Sequence, residues 1–166
     1  MYSDHSIQRG IEWLKFKGVR PVADILAGLL IPKLFAIAPL DDLAQRAVLV
    51  PIPLHARRLD HRGFNQSEDI ARAIGKLCSI EVLPLLTRTA PTASQVTLPH
   101  TLRKENMKDA FTLHVSNEEY ASKVRQKPIV IILDDVSTSG ATLLSAAHAL
   151  PYLPAARLWG AAIARG

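Results

Sequence analysis

The sequence is poor in cysteine, and this shortage excludes several classes of protein. Cys78 is the one cysteine among 166 residues. A single thiol forms no intrachain disulfide and no zinc cluster built on several cysteines. A chain of this length buries enough surface to fold without such cross-links. Because free thiols are typical of reducing compartments, we expect a cytoplasmic protein without zinc, in which Cys78 is a small buried apolar residue.

A long uncharged apolar run is also lacking. The most apolar stretch, residues 21–40, contains Asp24, Pro32 and Lys33. It therefore falls short of the roughly 18 uncharged residues that a membrane span needs. The first residues lack the basic start and the apolar run of a secretory signal. We expect neither membrane insertion nor secretion.

Acidic side chains are the minority among the charged residues. Fifteen Asp and Glu stand against twenty Lys and Arg, which gives a formal net charge of +5. This balance favours anionic ligands such as phosphates or nucleic acid, but it does not choose between them. If only the net charge is considered, the simpler interpretation is that the basic residues keep the surface of the protein soluble.

The order of the predicted elements indicates an α/β fold in a single domain over residues 1–166. No internal repeat or low-complexity tract divides the chain. Apolar spacing and turn residues predict, in chain order, helices over 7–16 and 22–36, a strand over 47–52, a helix capped by Asn65 and Glu68, short strands within 80–88, a strand over 129–133, a turn over 134–140, a helix over 141–150 and a strand over 157–164.

Two of these helices have a predicted buried face. The helix that begins at Asn65 is expected to bury Ile70, Ala73, Ile74 and Leu77, and the helix over 141–150 is expected to bury Leu143, Leu144, Ala147 and Leu150. The aliphatic run 129–133 is typical of a central strand in a parallel sheet that is covered on both faces. A strand, a helix and another strand in that order predict right-handed crossovers.

The segment from residue 129 to residue 142 contains the side chains most suited to chemistry. The buried strand brings Asp134 and Asp135 to its carboxyl end, where open α/β sheets bind ligands. Small hydroxyl residues and Gly140 follow and lead into a helix, whose free N–H groups attract a phosphate. The same hydroxyl residues and glycine are also common in ordinary turns. An ordinary turn, however, does not require two adjacent aspartates on a buried strand, where burial and their like charges disfavour the ionised form. A ribose 5-phosphate suits both features, because it has vicinal hydroxyls for the two aspartates and a phosphate for the loop and the start of the helix.

The run IVIILDDVSTSGAT at 129–142 resembles the phosphoribosyl pyrophosphate (PRPP) signature of type I phosphoribosyltransferases. Two further segments resemble the ComF/GntX-type phosphoribosyltransferase-like proteins. One runs from Val50 to Leu54 and continues through Arg57-Arg58 and Arg62-Gly-Phe-Asn-Gln-Ser67. The other is Arg88-x6-Gln95-x7-Arg103-x2-Asn106-x3-Ala110-Phe111. The resemblance covers about residues 8–166.

The resemblance implies a fold with a mostly parallel, Rossmann-like sheet. Residues 1–40 would form a small helical N-terminal hood, and residues 45–166 the PRPP-binding core. Members of this family often carry an N-terminal module with four cysteines and zinc, which has no counterpart here. The chain is therefore expected to be either a short form of the family or a longer member from which the module has been removed.

The resemblance also implies a set of site residues. PRPP would be bound by Asp134 and Asp135 at the ribose hydroxyls and by the loop residues Val136, Ser137, Thr138, Ser139, Gly140, Ala141 and Thr142 at the 5-phosphate. Pyrophosphate would be bound by Pro53, Leu54 and His55, with Arg57, Arg58 and Arg62 as helpers. Arg88 and Arg103 would act with the two aspartates in catalysis, at the ends of a lid over residues 89–101. Mg²⁺ is implied on the diphosphate, without a direct protein ligand.

The resemblance leaves three functions open. The first is a phosphoribosyltransferase with an unidentified acceptor. The second is a binding module for DNA uptake during competence, which contacts single-stranded DNA through Arg57, Arg58, Arg62 and Phe64. Phe64 stacks on a base in that hypothesis, whereas its simpler role is to pack beneath the helix that begins at Asn65. The third is a regulator that senses PRPP without turnover.

Overall fold

The aliphatic run of the sequence forms the centre of a parallel sheet. The structure is a computed structural model that describes residues 4–89, 110–113, 118, 122, 124, 126–150 and 157–166. The helices are α1 (Asp4–Lys17), α2 (Val22–Phe35), α3 (Leu40–Arg46), α4 (Ala56–Arg62), α5 (Gln66–Cys78) and α6 (Ala141–His148). The strands are β1 (Ala47–Pro51), β2 (Glu81–Val82), β3 (Leu86–Arg88), β4 (Phe111–Leu113), β5 (Ile129–Ser137) and β6 (Arg157–Arg165).

Four parallel strands form the main sheet, in the order β2-β1-β5-β6. β1 lies beside β5 with Ala47 opposite Ile129 and Pro51 opposite Leu133. β3 and β4 form a separate antiparallel pair, in which Arg88 lies opposite Phe111. The α/β class and the parallel sheet are thus confirmed, and the arrangement is compatible with a Rossmann-like fold.

Alternate residues of the strands enter two separate apolar cores. Leu49, Ile131 and Leu133 pack on one side with residues of α1, α2 and α5. Val50 and Ile132 pack on the other side with residues of α6, β3 and β4. This alternation is the geometry of a pleated strand, and it explains why β5 reads as an unbroken aliphatic run. The sheet is therefore the middle of three layers.

The N-terminal helices lie on the same side of the sheet as α5. α2 is buried along Leu26, Ala27, Leu30 and Leu34, which belong to the core that includes α5. Among the described helices, none is long and apolar enough by itself to cross a membrane. Only α2 and α3 together meet the length and composition of a span, and they are bent by 103°.

Several predicted boundaries and faces are wrong. β5 continues through Ser137, so the turn begins at Thr138 rather than at Asp134. The reason is tertiary, because β6 is equally long and Asp134 lies opposite Ala162, within the ladder. Helix α4, which was not predicted, follows the loop after β1. Its last turn is exposed apart from the half-buried Arg62.

Two leucines predicted to be buried are exposed. Leu77 is 60% exposed and Leu144 is 59% exposed. In α5 the buried stripe runs through Ile70, Ile74 and Cys78 at intervals of four, which leaves Leu77 at its edge. In α6 the buried positions are Ser145 and Ala146. The predicted burial of Ile70, Ala73, Ile74, Cys78 and Leu150 is confirmed.

Candidate functional site

The candidate site lies where β1 and β5 end. The amide of Ile52 donates to the carbonyl of Leu133 at 2.8 Å, which holds the end of β1 against β5. Asn65 Nδ2 donates to the carbonyl of Ile52 at 3.0 Å, and Asn65 Oδ1 accepts from the amide of Ser67 at 3.2 Å. Asn65 is thus the predicted N-cap of α5, and it also ties the start of α5 to the carboxyl edge of the sheet.

Asp134 and Asp135 are both buried at this edge. Asp134 Oδ1 accepts from the amide of Asp135 at 2.9 Å and from Ser67 Oγ at 3.4 Å. Burial and the neighbouring charge of Asp135 raise the pKa of Asp134 to about 6, against the opposite effects of these hydrogen bonds and of Lys15. The raised pKa of Asp134 makes this carboxyl group easier to protonate than an exposed aspartate.

Lys15 contacts the acid pair from α1. Its Nζ lies 2.8 Å from Asp135 Oδ2, and both side chains are largely buried. Lys15 is not among the site residues predicted from the sequence. The apolar spacing of Ile11 and Leu14 predicts the buried side of α1, but no local pattern indicates that Lys15 reaches a strand at the other end of the chain.

The start of α5 contributes two buried polar side chains that the sequence analysis also missed. Gln66 and Ser67 are 1% and 4% exposed. Gln66 Oε1 accepts from Arg62 Nη1 at 2.5 Å, whereas Gln66 Nε2 meets no acceptor among the described residues. A buried donor without a partner costs free energy, and such groups are common in ligand sites. The segment Asn65–Ser67 therefore belongs to the site.

The hydroxyl loop after β5 leads directly into α6. Gly140 is the N-cap residue of α6 and has φ of 76°, in the left-handed region that favours glycine. Among the described residues, apart from its chain neighbours, none has an atom within 4 Å of the position that a Cβ would take at Gly140. Ser139 Oγ accepts from the amide of Ala141 at 3.4 Å, while Thr138 and Ser139 are exposed. The loop thus presents hydroxyl groups and the start of a helix to solvent.

The loop after β1 contains Pro53, Leu54 and His55, all half-buried. His55 caps α4, since its Nδ1 accepts from the amide of Arg57 at 3.3 Å. Arg57 and Arg58 lie on the exposed first turn of α4.

Arg62 and Arg88 belong to the same charge cluster as the aspartates. Burial lowers the pKa of Arg62. The negative charge of Asp135 opposes this shift, and the positive charge of Arg58 adds to it. Burial likewise lowers the pKa of Arg88. The positive charge of Arg58 adds to this shift, and the negative charge of Asp134 opposes it. Arg88 also lies over the ring of Phe111, with 5.3 Å between the guanidinium carbon and the ring centroid. The structure therefore brings Arg62 and Arg88 into the field of the acid pair, and Arg58 acts on both of these arginines.

The remaining predicted residues fall in two groups. Phe64 is half-buried against the core that contains α5, as the packing interpretation predicts. Arg103, Gln95, Asn106 and residues 90–101 of the expected lid lie outside the described residues.

A metal ion held by the protein alone requires several donor side chains that converge on one point. Across the described ranges, no group of three His, Cys, Asp or Glu side chains is placed to hold a metal ion. Lys15 also places a positive charge against Asp135. The described residues therefore do not fit a magnesium ion held by the protein alone.

Several known proteins have sequences similar to this chain, and their names bear on the family to which it is related. The chain is 33% identical over 141 residues to "DNA utilization protein YhgH" of Escherichia coli (strain K12), which covers 84% of the chain and 59% of that relative. It is 32% identical over 96 residues to "Competence protein F" of Haemophilus influenzae, which covers 57% of the chain and 40% of that relative. These relatives support a ComF-like family. No protein-family model matches the chain.

The similarity to a YhgH protein extends beyond one species. The homologue of Salmonella typhimurium is 31% identical over 142 residues, again with 84% of the chain and 59% of the relative covered. The chain thus spans about three-fifths of the length of the YhgH relatives that it matches.

Proposed function

We propose that this ComF-like chain binds PRPP at the carboxyl edge of its sheet, as a phosphoribosyltransferase-like protein of the type I fold. One observation carries the proposal: two buried aspartates lie near the carboxyl end of the central strand, which ends at Ser137, and a hydroxyl loop with Gly140 at a helix start follows that strand. A sugar phosphate has vicinal hydroxyls for the first group and an anion for the second.

Each part of PRPP has proposed partners. The ribose hydroxyls donate to Asp134 and Asp135, and the 5-phosphate accepts hydrogen bonds from residues 137–142 at the start of α6. The diphosphate lies toward Pro53, Leu54 and His55, within reach of the positive charges of Arg57 and Arg58. Arg88 adds a half-buried positive charge that interacts with Asp134. A role for Arg103 remains an expectation from the sequence.

The proposed reaction is displacement of pyrophosphate from C1 of the ribose by an acceptor that is still unknown. The sugar gains cationic character as the bond to the leaving group breaks, as in glycoside cleavage, while the diphosphate gains negative charge. The arginines of the site stabilise that developing charge, and the exclusion of water protects the sugar. A magnesium ion bound with the diphosphate would supply further positive charge to that leaving group.

Binding is tested by thermal unfolding with PRPP in millimolar magnesium. A ligand at a hundredfold excess over its Kd stabilises the folded state by about 2.7 kcal/mol, which is a rise in Tm of about 5 to 10 °C for a chain of this size. The double variant Asp134→Asn, Asp135→Asn should abolish the shift. Asp41→Asn is the matched control, because Asp41 is exposed in α3, at the opposite edge of the sheet. An undiminished shift in the double variant would contradict the proposal.

Turnover is tested separately from binding. PRPP is incubated with nucleobases and small amines, pyrophosphate release is followed and the products are identified by mass spectrometry. Release that depends on an acceptor and on Asp134 and Asp135 supports a transferase. Binding without release supports the sensor, the third function proposed from the sequence.

A second candidate function is binding of single-stranded DNA in competence-associated uptake or use of DNA. The names of the relatives support it, and so does the exposed basic turn of α4 with Arg57 and Arg58. Phe64 is not needed in this candidate, since it packs on the core. Binding through phosphates should weaken steeply with salt and be reduced by Arg57→Ala with Arg58→Ala. Lys33→Ala, an exposed cation on α2, serves as the control.

A further inference from the structure

Lys15 is held firmly at the acid pair by the packing of α1. Ile11 and Leu14 are 5% and 1% exposed, so the apolar side of α1 is fixed on the core. Lys15 follows Leu14 and places Nζ 2.8 Å from Asp135 Oδ2, with side-chain exposures of 23% and 12%. Solvent and salt screen such a pair less than a fully exposed one. The contact is therefore a stable part of the site.

Nearby positive charge favours the ionised form of Asp134. Asp134 and Asp135 are consecutive and buried, and burial together with the charge of Asp135 disfavours the ionised form of Asp134. The cations that face the pair are Lys15 from α1, Arg62 from α4 and Arg88 from β3, while Ser67 of α5 supplies a hydrogen bond. Lys15 contacts Asp135 directly, on the oxygen Oδ2.

We propose that Lys15 is the resident cation of the acid pair, a positioning residue that lets both carboxylates accept sugar hydroxyls without a divalent ion between them. This inference rests on the proposed function, since it takes the pair to be the sugar-binding part of the site. An ionised carboxylate only accepts hydrogen bonds, so it pairs well with two vicinal hydroxyls. Lys15 supplies the charge balance that a bound metal supplies elsewhere.

The inference specifies a ligand class for this half of the site. A ribose 5-phosphate, which has the hydroxyls and the phosphate but no diphosphate, binds equally well with and without magnesium. Binding of the diphosphate of PRPP should still depend on magnesium, because this ion is commonly bound together with substrate phosphates. Metal dependence is therefore a property of the leaving group and not of the sugar subsite.

The test uses ribose 5-phosphate in calorimetry, in millimolar magnesium and in excess EDTA. The wild-type chain should have the same affinity in both, and 2-deoxyribose 5-phosphate should bind more weakly. Lys15→Met should weaken binding about tenfold in EDTA, the effect of one charge-assisted contact, and magnesium should restore part of the loss. Lys15→Arg keeps the charge and should stay metal-independent. Lys17→Met is the matched control, since Lys17 is exposed two residues further along α1.

Two results would overturn the inference while leaving the proposed function intact. One is Lys15→Met binding as tightly as the wild type in EDTA. The other is a wild-type chain that needs magnesium to bind the sugar phosphate.

A second measurement does not depend on a ligand. The Asp134 carboxyl is titrated by NMR in the wild type, in Lys15→Met and in Lys17→Met. Loss of the nearby positive charge should raise the pKa of Asp134 above its value of about 6, and Lys17→Met should leave it unchanged. If the wild type binds no sugar phosphate, the proposed function fails. The role of Lys15 as the cation of the pair is then decided by this titration, and an unchanged pKa in Lys15→Met overturns it.

Discussion

Ser67 Oγ, in the first turn of α5, donates a hydrogen bond to Asp134 Oδ1 at the end of β5, across a sequence separation of 67 residues and with 3.4 Å between the oxygens. The same carboxylate oxygen accepts from the amide of Asp135 at 2.9 Å. Both bonds favour the ionised form of Asp134 and act against its burial. The protonation state of Asp134 is thus set jointly by α1, α5 and the strand itself.

Replacing Ser67 should shift the titration of Asp134. Ser67→Ala removes a hydrogen bond to the ionised form, so the pKa of Asp134 should rise further above about 6. The bond is long, and we expect a smaller rise than in Lys15→Met. NMR titration of the Asp134 carboxyl measures it, with Ser6→Ala at the start of α1 as the control. A fall in the pKa would contradict the assignment of this contact.

The stability of the chain should fall as the pH rises toward neutrality. The pKa of Asp134 is raised from 3.8 to about 6 on folding, so between these values the folded state binds more protons than the unfolded state. The stabilisation is therefore present at low pH and lost as the pH rises through about 6, an effect of about 2 to 3 kcal/mol. Urea unfolding at a series of pH values measures it. Asp134→Asn should remove this slope, whereas Asp41→Asn should retain it.

Gly140 should be sensitive to substitution because of its backbone and not because of crowding. Its φ is 76°, and a Cβ there would meet no atom within 4 Å. Gly140→Ala should cost about 1 to 2 kcal/mol of stability, the penalty for an L-residue in the left-handed region. Gly140→Asn should cost less, because Asn tolerates that region better. Equal losses for Ala and Asn in urea unfolding would argue against backbone strain as the cause.

Gly75 should be sensitive for the opposite reason. A Cβ at this position of α5 would lie 2.6 Å from the carbonyl oxygen of Ile80 and 2.7 Å from Val82 Cγ2. Gly75→Ala should therefore destabilise the chain by about 1 to 3 kcal/mol through overpacking. Gly28→Ala in α2 is the control, since nothing lies within 4 Å there, and it should stabilise the chain by up to about 1 kcal/mol. Thermal unfolding of the two variants gives the comparison.

Much of the fold follows from local patterns. The aliphatic run at 129–133 and the strand at 47–51 carry enough apolar and β-branched side chains to identify a buried parallel sheet. Asn65 is recognisable as an N-cap because its side chain satisfies an amide in the next turn. The ends of elements are less predictable. β5 extends to Ser137 because a partner strand of equal length supplies ladder bonds, which the residues 134–137 do not reveal by themselves.

The adjacent aspartates, the hydroxyl loop and Gly140 are evident from the printed sequence, because neighbours along a strand and a turn stay neighbours in space. The surroundings of Asp134 and Asp135 are different. Lys15, Ser67, Arg62 and Arg88 come from four other elements, and only the packing of α1, α4, α5 and β3 around the end of β5 brings their charges and hydrogen bonds to the carboxylates. Charge interactions depend on distance and burial, and neither is encoded in the local order of residues.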